Sequence, residues 1–367
     1  MIRISINRDG VVIVTILLAL GLLTAPGKSQ STAQGEKAAK KANKKSETGK
    51  PGDKTPPDPN VVTSIPFGET AGSKPFNASG VVSIGDGQFL FCDNNNPGEL
   101  LELRLDAQGK KVGSLTRRPL SGVDPKAVED LEGITIVERN GDRFIVVTSS
   151  FNRLPASKGK KAVPPDSYAA GLLRIRPGTE GTLKAENIAG FREWLVSKYP
   201  ELQASANLSA DEGGLNIEGL AWDPNRGALL FGVRTPLING KPVILPVRLI
   251  GESGEWRLQN FEPLPAITLQ IQSSGYKGIR ALAYAPAHKS FVVSLGKATS
   301  NLKVPFSIHL WDGGDKGVVR KLEHLHFARG MKVEGLAGAT IDGKRALLLI
   351  DDAGGYQLIA EDDPRLR

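Results

Sequence analysis

The chain has 367 residues, a formal net charge of +8 and a single cysteine, Cys92. One cysteine excludes an intrachain disulfide and any metal site built on several thiolates, so folding must rest on burial of a core. The charge is uneven: residues 1–33 carry +2 and residues 34–60 carry +3, leaving +3 for residues 61–367, which argues against a nucleic-acid-binding face on the folded part.

Arg3 and Arg8 precede a 14-residue apolar run, Val11–Thr24, and Ser31-Thr32-Ala33 follow it. This order predicts an export signal over residues 1–33 and a periplasmic or secreted protein. The alternative is an anchor formed by the same signal left uncleaved. The run is short of the roughly 20 residues that a bilayer-spanning helix needs. No later segment is long and apolar enough, so no transmembrane domain is expected once the signal is removed. Residues 34–60 are rich in Lys, Ala, Gly, Ser and Pro and lack aromatics. They cannot bury enough apolar surface to offset the entropy of ordering, so a disordered basic linker is expected. Residues 61–367 remain for one domain, expected to be monomeric.

That domain repeats one sentence five times. The units are Ala78–Asn96, Asp130–Arg153, Asn216–Leu237, Gly278–Lys297 and Val333–Gly355. Each is a short apolar strand, a turn rich in Gly, Pro, Asn or Asp, and a second apolar strand that stops at polar residues. A small residue recurs in the first strand at Gly80, Gly133, Gly219, Ala281 and Gly335, with spacings of 53, 86, 62 and 54. The glycines read as close-packing positions of crowded strands. Weaker strand candidates follow each unit: Glu99–Leu105 and Lys111–Pro119, Ala170–Arg176 and Leu183–Ile188, Val243–Leu249 and Trp256–Phe261, Phe306–Trp311 and Val318–His326. Four antiparallel strands per repeat predict an all-β fold, a β-propeller of five four-stranded blades. Six blades is the alternative, because residues 191–215 have room for a degenerate piece. The fifth unit has one outer strand, Tyr356–Ala360, and Val61–Phe67 is expected to supply the missing one and close the ring. The long second spacing holds a basic Pro-rich loop (153–168) and a segment (190–205) with Phe191, Trp194, Leu195 and Tyr199 at helical spacing, predicting one short helical insertion. Both insertions fall on the face where first strands begin, and Cys92, inside Phe89-Leu90-Phe91, reads as a buried core residue.

Aligning the units puts Ser79, Glu132, Glu218, Arg280 and Glu334 at one position. The second strands end on the same face at Asp93, at Ser149 with Asn152 and Arg153, at Arg234, at Ser294 with Lys297, and at Asp351 with Asp352. A polar ring at one mouth of the channel is expected. Two readings compete for Glu132, Glu218 and Glu334. They pair with backbone N–H groups and with arginines such as Arg234 and Arg280, or, with Asp93 or Asp351, they hold a hard cation such as Ca²⁺. The mixed signs suit an anionic ligand equally well. His324 and His326 lie on one side of an outer strand, with no third metal ligand in view. No nucleophile elbow, zinc-protease helix, P-loop or dinucleotide fingerprint is present.

DLEGIT followed by TSSFNR, and NIEGLAW followed by GVRTPLINGKPVILPV, resemble the bacterial family of domain of unknown function 3616 over roughly residues 75–360. More loosely, the Glu-Gly strand starts look like those of the phytase-like, or esterase-like, propeller group. The first resemblance implies a β-propeller and no established reaction. The family pattern often places a His after Gly-Ser at the second unit's strand end, where this chain has Ser149-Ser150; an activity that needs that His is lacking here. The expected function is a ligand- or protein-binding scaffold of the bacterial envelope, taking a small anionic or carbohydrate-like ligand or an envelope protein on one loop-rich face. The alternative is a Ca²⁺-assisted hydrolase of ester or phosphoester substrates.

Overall fold

Five antiparallel hairpins stand where the five repeated units were read. In the computed structural model they pair Ala78–Gly85 with Gln88–Asp93, Leu131–Arg139 with Asp142–Ser149, Asn216–Asp223 with Ala228–Thr235, Lys277–Ala285 with Ser290–Lys297, and Val333–Ile341 with Lys344–Asp351. The structure describes residues 60–70 and 76–366 apart from 156, 159–160, 163–166, 179–180, 252–255 and 272–275, together with Asp58 and two strands, Ile2–Ile6 and Val12–Ile16, that pair with each other. The rest of the expected export signal and linker lies outside the described residues.

The first strand of each hairpin is apolar on both sides, so it must be covered on both. All eight residues of Asn216–Asp223 are buried. The first strands pack beside one another in cyclic order, one to two, two to three, three to four, four to five and five back to one. Outer strands are added to each hairpin: Glu99–Arg104 and Thr116–Ser121, Leu172–Ile175 and Leu183–Asn187, Val243–Leu249 and Phe261–Pro263, and Ser307–Trp311 and Val319–Lys321. The result is all-β and propeller-like. Units one and two are further joined where Leu183–Asn187 pairs in parallel with Thr116–Ser121, giving one eight-stranded sheet.

The fifth unit carries Gly355–Ala360, and its remaining edge is covered by Ile65–Pro66, paired antiparallel from the other end of the domain. The expected closing segment is therefore split. Val61–Val62 instead pairs in parallel with His326–Phe327. Phe67 anchors the join, stacked between Phe91 at 5.1 Å and Tyr356 at 6.0 Å.

The helical insertion forms as Phe191–Lys198, followed by the turn Pro200–Gln203. Phe191 and Leu195 are buried, and the Tyr199 hydroxyl donates to the Pro246 carbonyl at 2.5 Å. These side chains pin the helix to unit three, as ring contacts of Phe191 with Phe231 and Phe261 at 5.4 and 5.0 Å show. Among the described residues no helix is long and apolar enough to cross a membrane.

Cys92 is fully buried. Burial, with help from Glu132 and Asp93 nearby, pushes its thiol far above the usual range. We expect Cys92 to resist a thiol-specific disulfide reagent in the folded protein and to react once, quickly, after denaturation. Rapid stoichiometric reaction of the native chain would contradict this packing.

Candidate functional site

The register of the hairpins explains how the aligned polar residues reach the channel mouth. In each unit the strand pairing skips one residue near the start of the first strand, or two in unit one. The pairing runs from Ala78 to Val81, from Leu131 to Gly133, from Ile217 to Gly219, from Ile279 to Ala281 and from Val333 to Gly335. The skipped positions contain Ser79, Glu132, Glu218, Arg280 and Glu334. A bulge re-aims a side chain that would otherwise follow the strict alternation of a strand. Here it does so five times, and all five side chains are buried.

They meet. Carboxylate oxygens of Glu132, Glu218 and Glu334 lie within 4.8 Å of one another. Arg280 places Nε 2.8 Å from Glu218 and donates from Nη2 to Glu334. Arg234 Nη1 lies 2.7 Å from Glu218 and its Nε donates to the Ala298 carbonyl. Among the described residues no arginine contacts Glu132 at this range; the Ser79 hydroxyl donates to it at 2.5 Å and Asn94 Nδ2 at 2.8 Å.

Those partners set the charge states. Burial, then the carboxylates of Glu218, Asp130 and Glu334, push Glu132 well above the usual range, with the Ser79 bond opposing. Burial also lifts Glu334, to about 7, although Arg280 pulls it back. For Arg280 burial acts to release the proton, but Glu218, Glu334 and Glu132 outweigh it and the guanidinium stays charged. The cluster is thus an arginine clamped between carboxylates, beside a glutamate whose carboxyl burial and like charge push toward the protonated form.

A Ca²⁺ ion among these carboxylates would meet the Arg280 guanidinium at close range, and like charges repel. The donor set is matched to an arginine and does not fit a hard cation.

Above the cluster opens a polar cavity of about 450 Å³. Its wall includes Asn94, Asn152 and Asn216, with Arg153, Lys297 and Lys332 among the cations. Asn94 and Asn152 each spend their amide N–H on a carboxylate, Glu132 and Asp130 respectively. Their carbonyl oxygens are left without partners, as are Asn216 Oδ1 and Arg280 Nη1.

Asp93 and Asp351 stand elsewhere. Asp93 accepts from the backbone N–H of Asn77 and Asn95 and from Asn96 Nδ2. Asp351 accepts from the N–H of Lys332 and Ala353. Both close strand-end turns and neither lines the cavity, because a short Asp at a turn bonds its own backbone first. Ser149 and Ser294 are likewise structural: Ser149 Oγ accepts from Gly171 N–H, and Ser294 donates to the Val333 carbonyl of the neighbouring unit. Asn152, Arg153, Lys297 and Asp352 do line the cavity, as do Glu132, Glu218, Glu334, Arg234 and Arg280. Sequence reasoning missed Asn94, Asp130 and Asn216. Asp130 sits just before the first strand of unit two with a positive φ of 58°, a conformation that Asp tolerates better than most residues.

No curated protein matches the chain. Among solved structures, a glycosyl hydrolase from Bacteroides ovatus aligns with a TM-score of 0.40 and 10% identity, covering 79% of this chain and 84% of the other. A glucose dehydrogenase aligns with a TM-score of 0.39 and 15% identity, covering 79% and 97%. These are loose likenesses from which no activity follows. A family model described as a protein of unknown function, DUF3616, matches residues 112–357, which take in four of the five hairpins and all three clustered glutamates, and the chain belongs to that family.

Proposed function

We propose that the protein is a five-bladed propeller that binds a small anionic, carbohydrate-like ligand in the central mouth. The observation that carries this reading is the concentration of unpartnered buried polar atoms in the residues of one cavity wall. Buried polar groups are nearly always paired, and exceptions call for a partner. Three amide carbonyls are acceptors for hydroxyl groups. Arg280 Nη1, with Arg153, Lys297 and Lys332 around the wall, suits a carboxylate or phosphate on the same molecule. The five hairpins, packed in a cycle and closed by Ile65–Pro66, support the blade count. The export signal read in residues 1–33 supports a role in the bacterial envelope.

A hydrolytic role has one feature in its favour: burial and the neighbouring carboxylates push the Glu132 carboxyl above its usual range, the direction that a general acid requires. This version needs no metal. Titration calorimetry with glucuronate, glucose and glucose phosphates tests the binding reading. A sugar acid or sugar phosphate is expected to bind and glucose to bind poorly. Asn94→Ala is expected to weaken that binding about tenfold, or about 1.4 kcal/mol. Indifference to all of these compounds would sink the reading. Hydrolysis of chromogenic glucuronides or phosphoesters, unchanged by Ca²⁺ and abolished in Glu132→Gln, would move the assignment to the acid catalyst.

A further inference from the structure

A second cluster lies in unit four, away from the central mouth. Lys277 begins the first strand of that hairpin, and Ser307 and His309 lie two residues apart on the third strand, hence on one face. The Lys277 ammonium donates to Ser307 Oγ at 3.0 Å, and Ser307 Oγ lies 3.1 Å from His309 Nε2. Ser307 and His309 are each 4% exposed. None of the three lines the central cavity.

Lysine only donates, so Ser307 Oγ accepts from Lys277, and it either donates to His309 Nε2 or accepts from it, according to the ring tautomer. Burial and the nearby Lys277 and Lys321 lower the His309 pKa to about 4, so the ring is neutral. A neutral ring that accepts at Nε2 carries its proton at Nδ1. That buried Nδ1 has no partner. The cluster therefore presents an unpartnered ring nitrogen, a donor in that tautomer, and the remaining ammonium protons of Lys277.

Its surroundings are strongly basic. Ser307, Lys277 and Lys321 line two cavities, of about 850 and 680 Å³, which therefore adjoin. Lys277, Lys297, Lys303, Arg320 and Arg329 line one or both and have no ion-pair partner among the described residues. One carboxylate, Glu323, is in these walls, and Lys321 already holds it. Lys297 also reaches the central mouth, where it faces Asp211, and the other four uncompensated cations along the groove cost self-repulsion unless an anion joins them.

We propose that this groove binds an oligophosphate, with one phosphate held by Lys277 and His309 and its neighbours lying against the remaining cations. A phosphate brings three acceptor oxygens and nearly two charges to one point, which matches several donors converging there; a carboxylate brings two oxygens and one charge.

The test is calorimetric titration of the full chain with sodium tripolyphosphate, with trigalacturonate in parallel. The wild-type protein is expected to bind tripolyphosphate with an affinity that falls as salt rises, and at least tenfold more tightly than trigalacturonate. Lys277→Met and His309→Gln are each expected to weaken it at least tenfold, while Arg153→Ala, on the central mouth, leaves it unchanged. Nitrogen NMR of the wild-type protein should show the His309 Nδ1 signal moving on titration, a readout that survives if His309→Gln fails to fold. Absence of tripolyphosphate binding, equal affinity in Lys277→Met, a static His309 signal or equal binding of trigalacturonate would each overturn the assignment. Loss of binding in Arg153→Ala, with Lys277→Met unaffected, would move the ligand to the central mouth.

Discussion

Arg280→Met is expected to destabilise the folded chain by about 3–5 kcal/mol, the range seen when one partner of a buried ion pair is removed. The reason is the geometry of the clamp. Arg280 is 4% exposed and reaches both Glu218 and Glu334. Arg234 also serves Glu218, but for Glu334 Arg280 is the ion-pair partner among the described residues. Methionine fills much of the space and leaves Glu334 buried without compensation. The loss should depend on pH. The folded-state pKa of Glu334 lies above its ordinary value of 4.5, at about 7, so the folded state holds this proton more tightly than the unfolded one. Stability from this group is full below about 4.5 and is lost as pH rises through about 7. The deficit of Arg280→Met should therefore be larger at pH 8 than at pH 5, and Arg280→Met combined with Glu334→Gln should recover part of it. Urea unfolding at the two pH values reads all three. A deficit below about 1 kcal/mol at pH 8, the size of an exposed pair, would show that the clamp carries no strain of this kind.

Gly80→Ala is the second large effect. A Cβ at Gly80 would collide with the Glu132 carbonyl oxygen and lie 3.0 Å from the Ile134 nitrogen. Both are backbone atoms of the next unit's first strand, so no side chain can rotate away. Overpacking of cores typically costs about 1–3 kcal/mol, and a backbone contact should reach or pass the top of that range. Gly85→Ala is the control in the same strand: its nearest neighbour is the Gln88 side chain at 3.8 Å. The control should unfold within about 0.5 kcal/mol of the wild type. Equal denaturation midpoints for the two variants would mean that units one and two do not pack as closely as described. Because Gly80 presses on Glu132 itself, the variant should also weaken binding at the central mouth.

That contact belongs to a series. A Cβ at Gly133 would lie 2.6 Å from Leu220 Cβ, at Gly219 2.9 Å from Ile279 Cγ2, and at Gly335 3.1 Å from Val81 Cγ1. Each meets the first strand of the following unit, and the last returns to the first. This much was legible in the sequence, because a recurrent small residue in an apolar strand has one economical explanation, a close neighbour. The buried polar ring was legible for a related reason: alignment of repeats assigns equivalent positions without knowing their surroundings. What alignment could not supply was direction. Asp93 and Asp351 have the residue type of ligands but turn back to cap their own chain, whereas the bulges send Glu132, Glu218 and Glu334 inward. A bulge leaves little trace in hydrophobic pattern.

Outer strands were harder to read. Trp256–Phe261 looked like a strand, yet the strand is Phe261–Pro263 and Trp256 packs on Phe144 at 5.9 Å. Short, half-exposed strands carry too few alternations to fix their register. The basic groove was missed because its charges are spread over several strands and loops. His324 and His326 drew attention as a pair, while the informative pair, Ser307 and His309, gains meaning only when Lys277 arrives from another strand.

The pairing of Tyr356 with Ile65 and of Gly355 with Pro66 joins positions 291 and 289 residues apart. For a flexible chain, closing so long a loop costs roughly 5 kcal/mol of entropy by the logarithmic rule. During synthesis the segment at 65–66 is made first and must wait for its mate. The clasp therefore forms late, after the hairpins whose partners are close in sequence. Until it shuts, unit five shows a free edge and residues 65–66 are a loose strand that fits it. Two molecules refolding at high concentration can exchange these strands, each completing the other. Refolding yield of monomer should then fall with concentration, while a dimer built from two intact rings accumulates.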